Sequence, residues 1–338
     1  MESKIWMWPK SSPTNKYNEL LSNALERREF TVLNFRWRNA LKIKRRDTLY
    51  FHWIHSDYQH DNLFIMLIRS FLLIAFFLYL KAKNVKLVWT LHNLYPHSFK
   101  YKWLERIVRN IVLILVNHIF VASTSIKLSV LQEYRSIPEQ KISIVKHGHY
   151  RGVYPEKSVD FRKEYGIDES QTVYLFFGAI KKYKGVVKLI NNFKEVAKLN
   201  DRLIIAGKPD VEMEKELSTY MTDSDNRMIF HLKFLPDDEL VPLIKSSDFV
   251  VLPFEAITTS GSAILAASYE KTIVTINHPT FKEYFTPGMA ILYEGDTNLK
   301  EAMILSHNHK KQQNEYDQFL IETDWDKISH QISALLRE

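Results

Sequence analysis

Val173-Tyr-Leu-Phe-Phe-Gly-Ala-Ile-Lys-Lys-Tyr-Lys-Gly-Val186 is an apolar run that ends on a glycine, passes through three lysines and restarts at a second glycine. A continuous apolar run of this length is the pattern of a strand buried on both faces of a parallel sheet. The glycine marks a tight exit, and the lysines fall in the strand-to-helix loop, the edge where open α/β sheets hold ligands. Lys181, Lys182 and Lys184 are the residue type that makes charge-assisted contacts to a diphosphate. They also fit a solvated turn, so the segment does not decide alone.

A second segment of the same kind follows: Phe249-Val-Val-Leu-Pro-Phe-Glu-Ala-Ile-Thr-Thr-Ser-Gly-Ser-Ala-Ile-Leu-Ala-Ala-Ser268. An apolar strand leads through a loop to Thr259, Ser260, Gly261 and Ser262, which open an apolar helix. Hydroxyl residues are good N-caps, glycine lets a ligand approach the backbone, and the first free amides of a helix attract phosphate. An ordinary cap would read the same way.

Working outward, short apolar runs alternate with helical periods over the whole chain, which predicts α/β architecture with parallel sheets. Strands are expected at 5–8, 30–35, 48–53, 85–90, 118–122 and 142–145, and again at 173–177, 202–206, 228–232, 249–252, 272–277 and 290–293. Helices are expected at 15–29, 62–83, 102–117, 126–134, 185–200, 211–221, 237–246 and 260–269, with one last helix over 314–338. The expected division is a first domain over 1–155, a second over 156–312 and a terminal helical segment over 313–338.

The chain has 338 residues, a net charge of +7 and no cysteine, which excludes disulfides and thiolate metal sites. Its first ten residues contain no apolar run of signal-peptide length, so the expected location is the cytoplasm. Charge is divided unevenly: residues 1–155 carry 24 Lys+Arg against 10 Asp+Glu, the remainder 22 against 29. A basic first half points to an anionic surface. No nucleic-acid motif accompanies the charge, so a membrane is the expected partner and nucleic acid is not.

Residues 63–80 are apolar except for Arg69. Eighteen residues is close to the minimum for a membrane span, but an arginine inside it is costly and the stretch lies between two strands of one sheet. Two readings stay open: a core helix on the sheet, or a helix dipped into the bilayer interface. In the second, Lys100, Trp103, Arg106 and Arg109 extend the membrane-facing surface.

The order Gly178, Lys181, Lys184-Gly185, then Leu203-Ile-Ile-Ala-Gly-Lys-Pro209, Leu235-Pro-Asp-Asp-Glu-Leu240, Ser247-Asp-Phe-Val-Val-Leu-Pro253 and Thr259-Ser-Gly-Ser262 resembles GT-B glycosyltransferases of family 4, in particular the bacterial exopolysaccharide and capsule branch. In the first half Phe51-His-Trp53, Val88-Trp-Thr-Leu-His-Asn-Leu94 and Lys146-His-Gly148 resemble the same branch more thinly.

The resemblance implies two Rossmann-like domains with parallel sheets facing a central cleft, and a C-terminal helix crossing back to the first domain. It implies transfer of a hexose from a UDP- or GDP-linked sugar to a lipid-linked or glycan acceptor, with retention of configuration and without a metal or cofactor. Gly178, Lys181, Lys184, Thr259, Ser260, Gly261 and Ser262 would hold the diphosphate, and Gly207, Lys208 and Leu235 the nucleotide. His92 would lie against the donor sugar as the catalytic-site residue. His52, Trp53 and Tyr95 are candidates to line the acceptor side, with Asp57 a carboxylate near its mouth.

Two departures qualify this. Ala179 stands where many members have arginine, which makes Lys181 the candidate for that role. Their Glu-x7-Glu pair lacks its second glutamate, since Leu265 or Ala263 occupies that place, depending on whether the alignment starts from Glu270 or Glu255. These departures motivate an alternative, a non-catalytic partner subunit of a transferase complex. Asp223-Ser-Asp225 and the histidines at 52, 55, 92, 97, 147 and 149 show no metal-enzyme spacing, so no metal site is expected.

Overall fold

The computed structural model describes residues 3–12, 15–95, 100–222, 225–255, 259–295 and 298–337. The chain divides into two compact units, Met1–Gly148 with Thr323–Glu338, and His149–Glu322. The dividing lines fall a few residues before the expected boundary at 155 and inside the expected terminal segment.

The first unit holds β1 (Lys4–Trp8), β2 (Thr31–Asn34), β3 (Thr48–Phe51), β4 (Lys86–Thr90), β5 (His118–Val121) and β6 (Ile142–Ile144). They form one parallel sheet in the order β2-β1-β3-β4-β5-β6. One face packs under Leu63–Ala82 and Lys102–Leu115 around Leu49, Phe51, Leu87, Trp89 and Ile119. The other packs under Tyr17–Glu26 and Trp325–Arg337 around Met7, Tyr50, Val88 and Phe120.

Asn62 starts Leu63–Ala82 by accepting hydrogen bonds from the Phe64 and Ile65 amides at 2.9 and 3.2 Å. The cap removes two orphan donors, and the side chains repeating on the sheet side, Met66, Ser70, Leu73, Phe77 and Leu80, are buried.

The second unit holds β7 (Thr172–Phe177), β8 (Asp201–Ala206), β9 (Met228–His231), β10 (Phe249–Leu252), β11 (Thr272–Ile276) and β12 (Ala290–Tyr293). Their order is β12-β11-β10-β7-β8-β9, again parallel. Counted from its own first strand this is the doubly wound nucleotide-binding order, which reverses between β7 and β10. A reversal of this kind is where loops leaving neighbouring strands of such a sheet run in opposite directions.

The expected single helix over 314–338 is two helices, Gln313–Glu322 and Trp325–Arg337. Asp324 ends the first period by accepting from the Asp326 amide at 2.8 Å, an N-cap inside what reads as one apolar repeat. Only the second helix belongs to the first unit. There Asp326 pairs with Arg28 at 2.6 Å, and the Leu336 carbonyl accepts from Lys86 Nζ at 2.9 Å.

Gly148 lies flat against the buried Trp325 ring, inside the volume a Cβ would need. Gly148→Ala should therefore destabilise the first unit by about 2–3 kcal/mol, seen as a lowered denaturant midpoint with an unchanged slope.

Candidate functional site

In the second unit three loops meet at the carboxyl edge of the sheet. Gly178 leaves β7 at φ +111°, and an added Cβ would lie 3.6 Å from Ser262 Oγ. Gly207 leaves β8 at φ +145°, and a Cβ there would fall into the Gly178 carbonyl. Gly185 opens Val186–Val196 at φ +69°, where a Cβ would strike the Pro253 carbonyl just after β10. At Gly207 and Gly185 only glycine satisfies both the positive φ and the approach. The amide of Glu255 donates to the Tyr183 carbonyl at 3.0 Å, closing the contact. The structure thus brings residues 178–185 together with 253–255 and with Ser262.

Lys184 is half-buried, its ammonium 4.4 Å from the centre of the Phe254 ring. Burial, helped by the neighbouring charge of Lys181, lowers its pKa from 10.5 to about 8. Neither Lys184 nor the exposed Lys181 and Lys208 has a carboxylate partner among the described residues. Lys182 differs from expectation, because it turns to Glu212 at 3.1 Å.

Ser260 caps Gly261–Ser268 by accepting from the Ala263 amide at 3.2 Å. The Gly261 and Ser262 amides stand in the first turn, which has no intrahelical acceptor. Thr259 precedes them half-exposed, and Leu235 is buried in the loop after β9. Leu265 and Ala263 are both buried, and Gly261–Ser268 carries no carboxylate. Glu270 forms ion pairs with Arg151 and Lys311.

Tyr150 is not among the residues the sequence singles out: it falls in the expected first domain, whereas it belongs to the second unit. Its amide donates to Ser268 Oγ at 2.9 Å, and its hydroxyl lies 3.6 Å from where a Gly261 Cβ would stand.

In the first unit His52 follows β3, beside the point where strand order reverses between β1 and β3. His52 Nδ1 and His92 Nε2 are 3.2 Å apart, so one of them carries the shared proton. Trp53 stacks on His92 at 4.5 Å and 14°, and the Tyr17 ring is 5.8, 5.0 and 4.7 Å from His52, His92 and His147. Burial lowers His52 from 6.5 to about 3 and His147 to about 4, and drives His92 well down, with the two other histidines adding to that. These are neutral imidazoles at neutral pH, suited to hydrogen bonding rather than to carrying charge.

The space among His52, Trp53, His92 and Arg109 is about 10 Å³, room for about one water. Tyr95 does not join this stack. Its hydroxyl donates to Glu133 at 2.6 Å. Asp57 accepts from the Trp37 indole at 3.1 Å, and burial raises its pKa.

Arg109 is a correction. Expected on a membrane surface, it is 3% exposed and bound to Glu105 (0%) at 2.6 Å, while Tyr58 and Gln59 donate to the same carboxylate at 2.7 and 2.8 Å. The signal was present, since opposite charges at i and i+4 interrupt the apolar face of Leu104, Val108 and Val112. Arg106 pairs with Glu133 at 2.9 Å.

Asp225 pairs with Arg227, while Asp223 and His97 lie outside the described residues. Among the described residues no three His, Asp or Glu side chains gather as metal ligands.

The histidine cluster has a pH consequence. Because the unfolded chain binds these protons near 6.5 and the folded chain near 3 to 4, their contribution to stability is complete above pH 6.5 and is lost as pH falls toward 4. The thermal midpoint should drop through that window, with a shallower dependence in His52→Gln.

A family model described as "Glycosyl transferases group 1" matches residues 158–336. The GDP-mannose:glycolipid 4-beta-D-mannosyltransferase of Xanthomonas campestris pv. campestris is 25% identical over 285 residues, 82% of this chain and 74% of that protein. Among solved structures, Anabaena HepE in complex with UDP and glucose matches with a TM-score of 0.72 at 15% identity, over 100% of both chains. WaaG, a glycosyltransferase involved in lipopolysaccharide biosynthesis, matches with a TM-score of 0.64 at 11% identity over 99% of each. These structural likenesses establish the fold as GT-B. With more than half its length matched by the family model, the chain belongs to the glycosyl transferases group 1 family and is a GT-B glycosyltransferase.

Proposed function

We propose that the enzyme transfers a hexose from a nucleoside-diphosphate sugar to a lipid-linked acceptor in bacterial surface-polysaccharide synthesis, as a peripheral protein on the cytoplasmic face of the cell membrane. The observation that carries the donor half is the junction of the two loops in the second unit. Lys184, with no carboxylate partner among the described residues, and the Gly261 and Ser262 amides lie on segments held together through Gly185 and Pro253. Fixed cations and helix-start amides stabilise the charge that develops on a departing nucleoside diphosphate, and this requires no metal. GDP-mannose is the proposed donor, supported by the activity named for the Xanthomonas relative.

His92 is proposed to orient a donor-sugar hydroxyl as a neutral hydrogen-bonding group. The resemblance implies retention of configuration, whereas the Xanthomonas relative is named for forming a β-mannoside. Coupling constants of the anomeric carbon in the product decide between the two.

The alternative, a partner subunit without catalysis, is favoured by one observation: Gly261–Ser268 offers no carboxylate for a ribose. Calorimetry with GDP and UDP, followed by transfer from radiolabelled GDP-mannose to lipid-linked acceptors, separates the readings. Binding with transfer supports the enzyme. Absence of both would leave the partner subunit.

Lys184→Ala should weaken nucleoside-diphosphate binding about tenfold to a hundredfold, the worth of a hydrogen bond to a charged group. In the unmodified protein the affinity should decline as pH rises through about 8, where Lys184 loses its proton. Lys184→Arg should remove that inflection, because a guanidinium stays charged.

A further inference from the structure

Leu63–Ala82 is long and apolar enough to cross a membrane by length and composition, yet one side of it is fixed to a sheet. At about 100° per residue, its buried side chains cluster on one side and the opposite side is apolar throughout. Phe64 and Phe71 are each 70% exposed and Leu72 57%, with Ile68, Leu78 and Tyr79 beside them. The helix's two charges, Arg69 and Lys81, project from the flanks between the buried and outward sides.

Two neighbouring elements enlarge this surface. Lys102–Leu115 packs against the helix and exposes Trp103 (54%), Ile107 and Ile114 along its own outer side. The turn Trp37–Lys42 packs its Trp37 ring 5.0 Å from Phe76 and exposes Leu41 (83%). Arg36, Arg38, Lys42, Lys81 and Lys102 are exposed around these residues, and none has a carboxylate partner among the described residues.

We infer that this face is a monotopic membrane-docking surface that lies in the plane of an anionic bilayer. The Leu63–Ala82 helix is sunk by its outer side only, about 5–10 Å into the headgroup boundary. A spanning arrangement would require lipid on all sides, and the sheet occupies one of them. Trp37, Tyr79 and Trp103 have the amphipathic rings that settle at the water boundary, and Arg69 reaches headgroups from its flank. The unneutralised cations select anionic lipid. They also argue against a second copy of the chain, because a two-fold pairing would set the same uncompensated cations face to face. This inference extends the reading of a lipid-linked acceptor, but its test needs neither donor nor acceptor.

The test is sedimentation of the full chain with vesicles of phosphatidylcholine alone or mixed with phosphatidylglycerol. Binding should require the anionic lipid and weaken as salt is raised from about 0.05 to about 0.5 M. Alkaline carbonate should release the protein. Phe71→Ser combined with Leu72→Ser, Trp103→Ser, and Arg36→Glu combined with Arg38→Glu should each lower binding about tenfold or more. All replace exposed side chains, and an unchanged thermal midpoint shows that each variant is folded. Lys184→Ala should bind vesicles as the unmodified chain does, which keeps this result separate from the donor-site reading. The inference is overturned if the unmodified protein ignores anionic vesicles or resists carbonate extraction. It is equally overturned if the protein is a dimer in solution that the same variants dissociate.

Discussion

Two places where backbone meets backbone set the chemistry of the second unit. At Gly207 the exit of β8 presses on the carbonyl of Gly178, and at Gly185 the start of a helix presses on the carbonyl of Pro253. Each contact removes the room for a side chain, and each needs a positive φ. Strand order reverses between β7 and β10, so the loops leaving those strands would otherwise part. The glycines draw them back together and hold Lys184 over Phe254, shielded enough to lose part of its affinity for a proton. A cation kept half-dry interacts more strongly with an arriving anion than a solvated one does.

The first unit uses the opposite strategy. Its sheet edge gathers polar rings that burial keeps uncharged: His52, His92 and His147 around Tyr17. Neutral imidazoles next to an aromatic stack offer direction without charge. Exposed cations of this unit, among them Arg36, Arg38, Lys42, Lys81 and Lys102, lie instead around the apolar helix. Both units are doubly wound sheets, but one presents fixed cations at its edge and the other fixed dipoles.

The strands were legible because parallel sheets bury both faces and read as unbroken apolar runs. All twelve lie within one or two residues of where the sequence puts them. The two loops that meet at the second sheet's edge were legible as strand–glycine–lysine and loop–Ser–Gly–Ser patterns. What failed has specific causes. The terminal helix was drawn through Asp324 because the apolar period continues on either side of the cap. Lys182 reads like its neighbours, and only the fold shows that Glu212 reaches it. Tyr17 and Tyr150 look like ordinary aromatic residues, and nothing in their local sequence announces the histidines or the helix cap beside them. Arg109 belongs to the basic count of the first half, but it stands one residue from Val108 and four from Glu105, on the buried side of its helix.

The buried pair of Glu105 and Arg109 does more than hold two helices. Tyr58 and Gln59, which donate to the same carboxylate, stand just ahead of the apolar helix, and Arg109 lies beneath Trp89 and reaches the Asn93 carbonyl. Rolling Lys102–Leu115 by one residue would drag an ion pair through hydrocarbon and strand its partners. The pair therefore works as a keyed spindle. It lets the outward side of that helix be as greasy as any lipid-facing surface while denying it the freedom to turn over, and it ties that orientation to the stretch carrying His92.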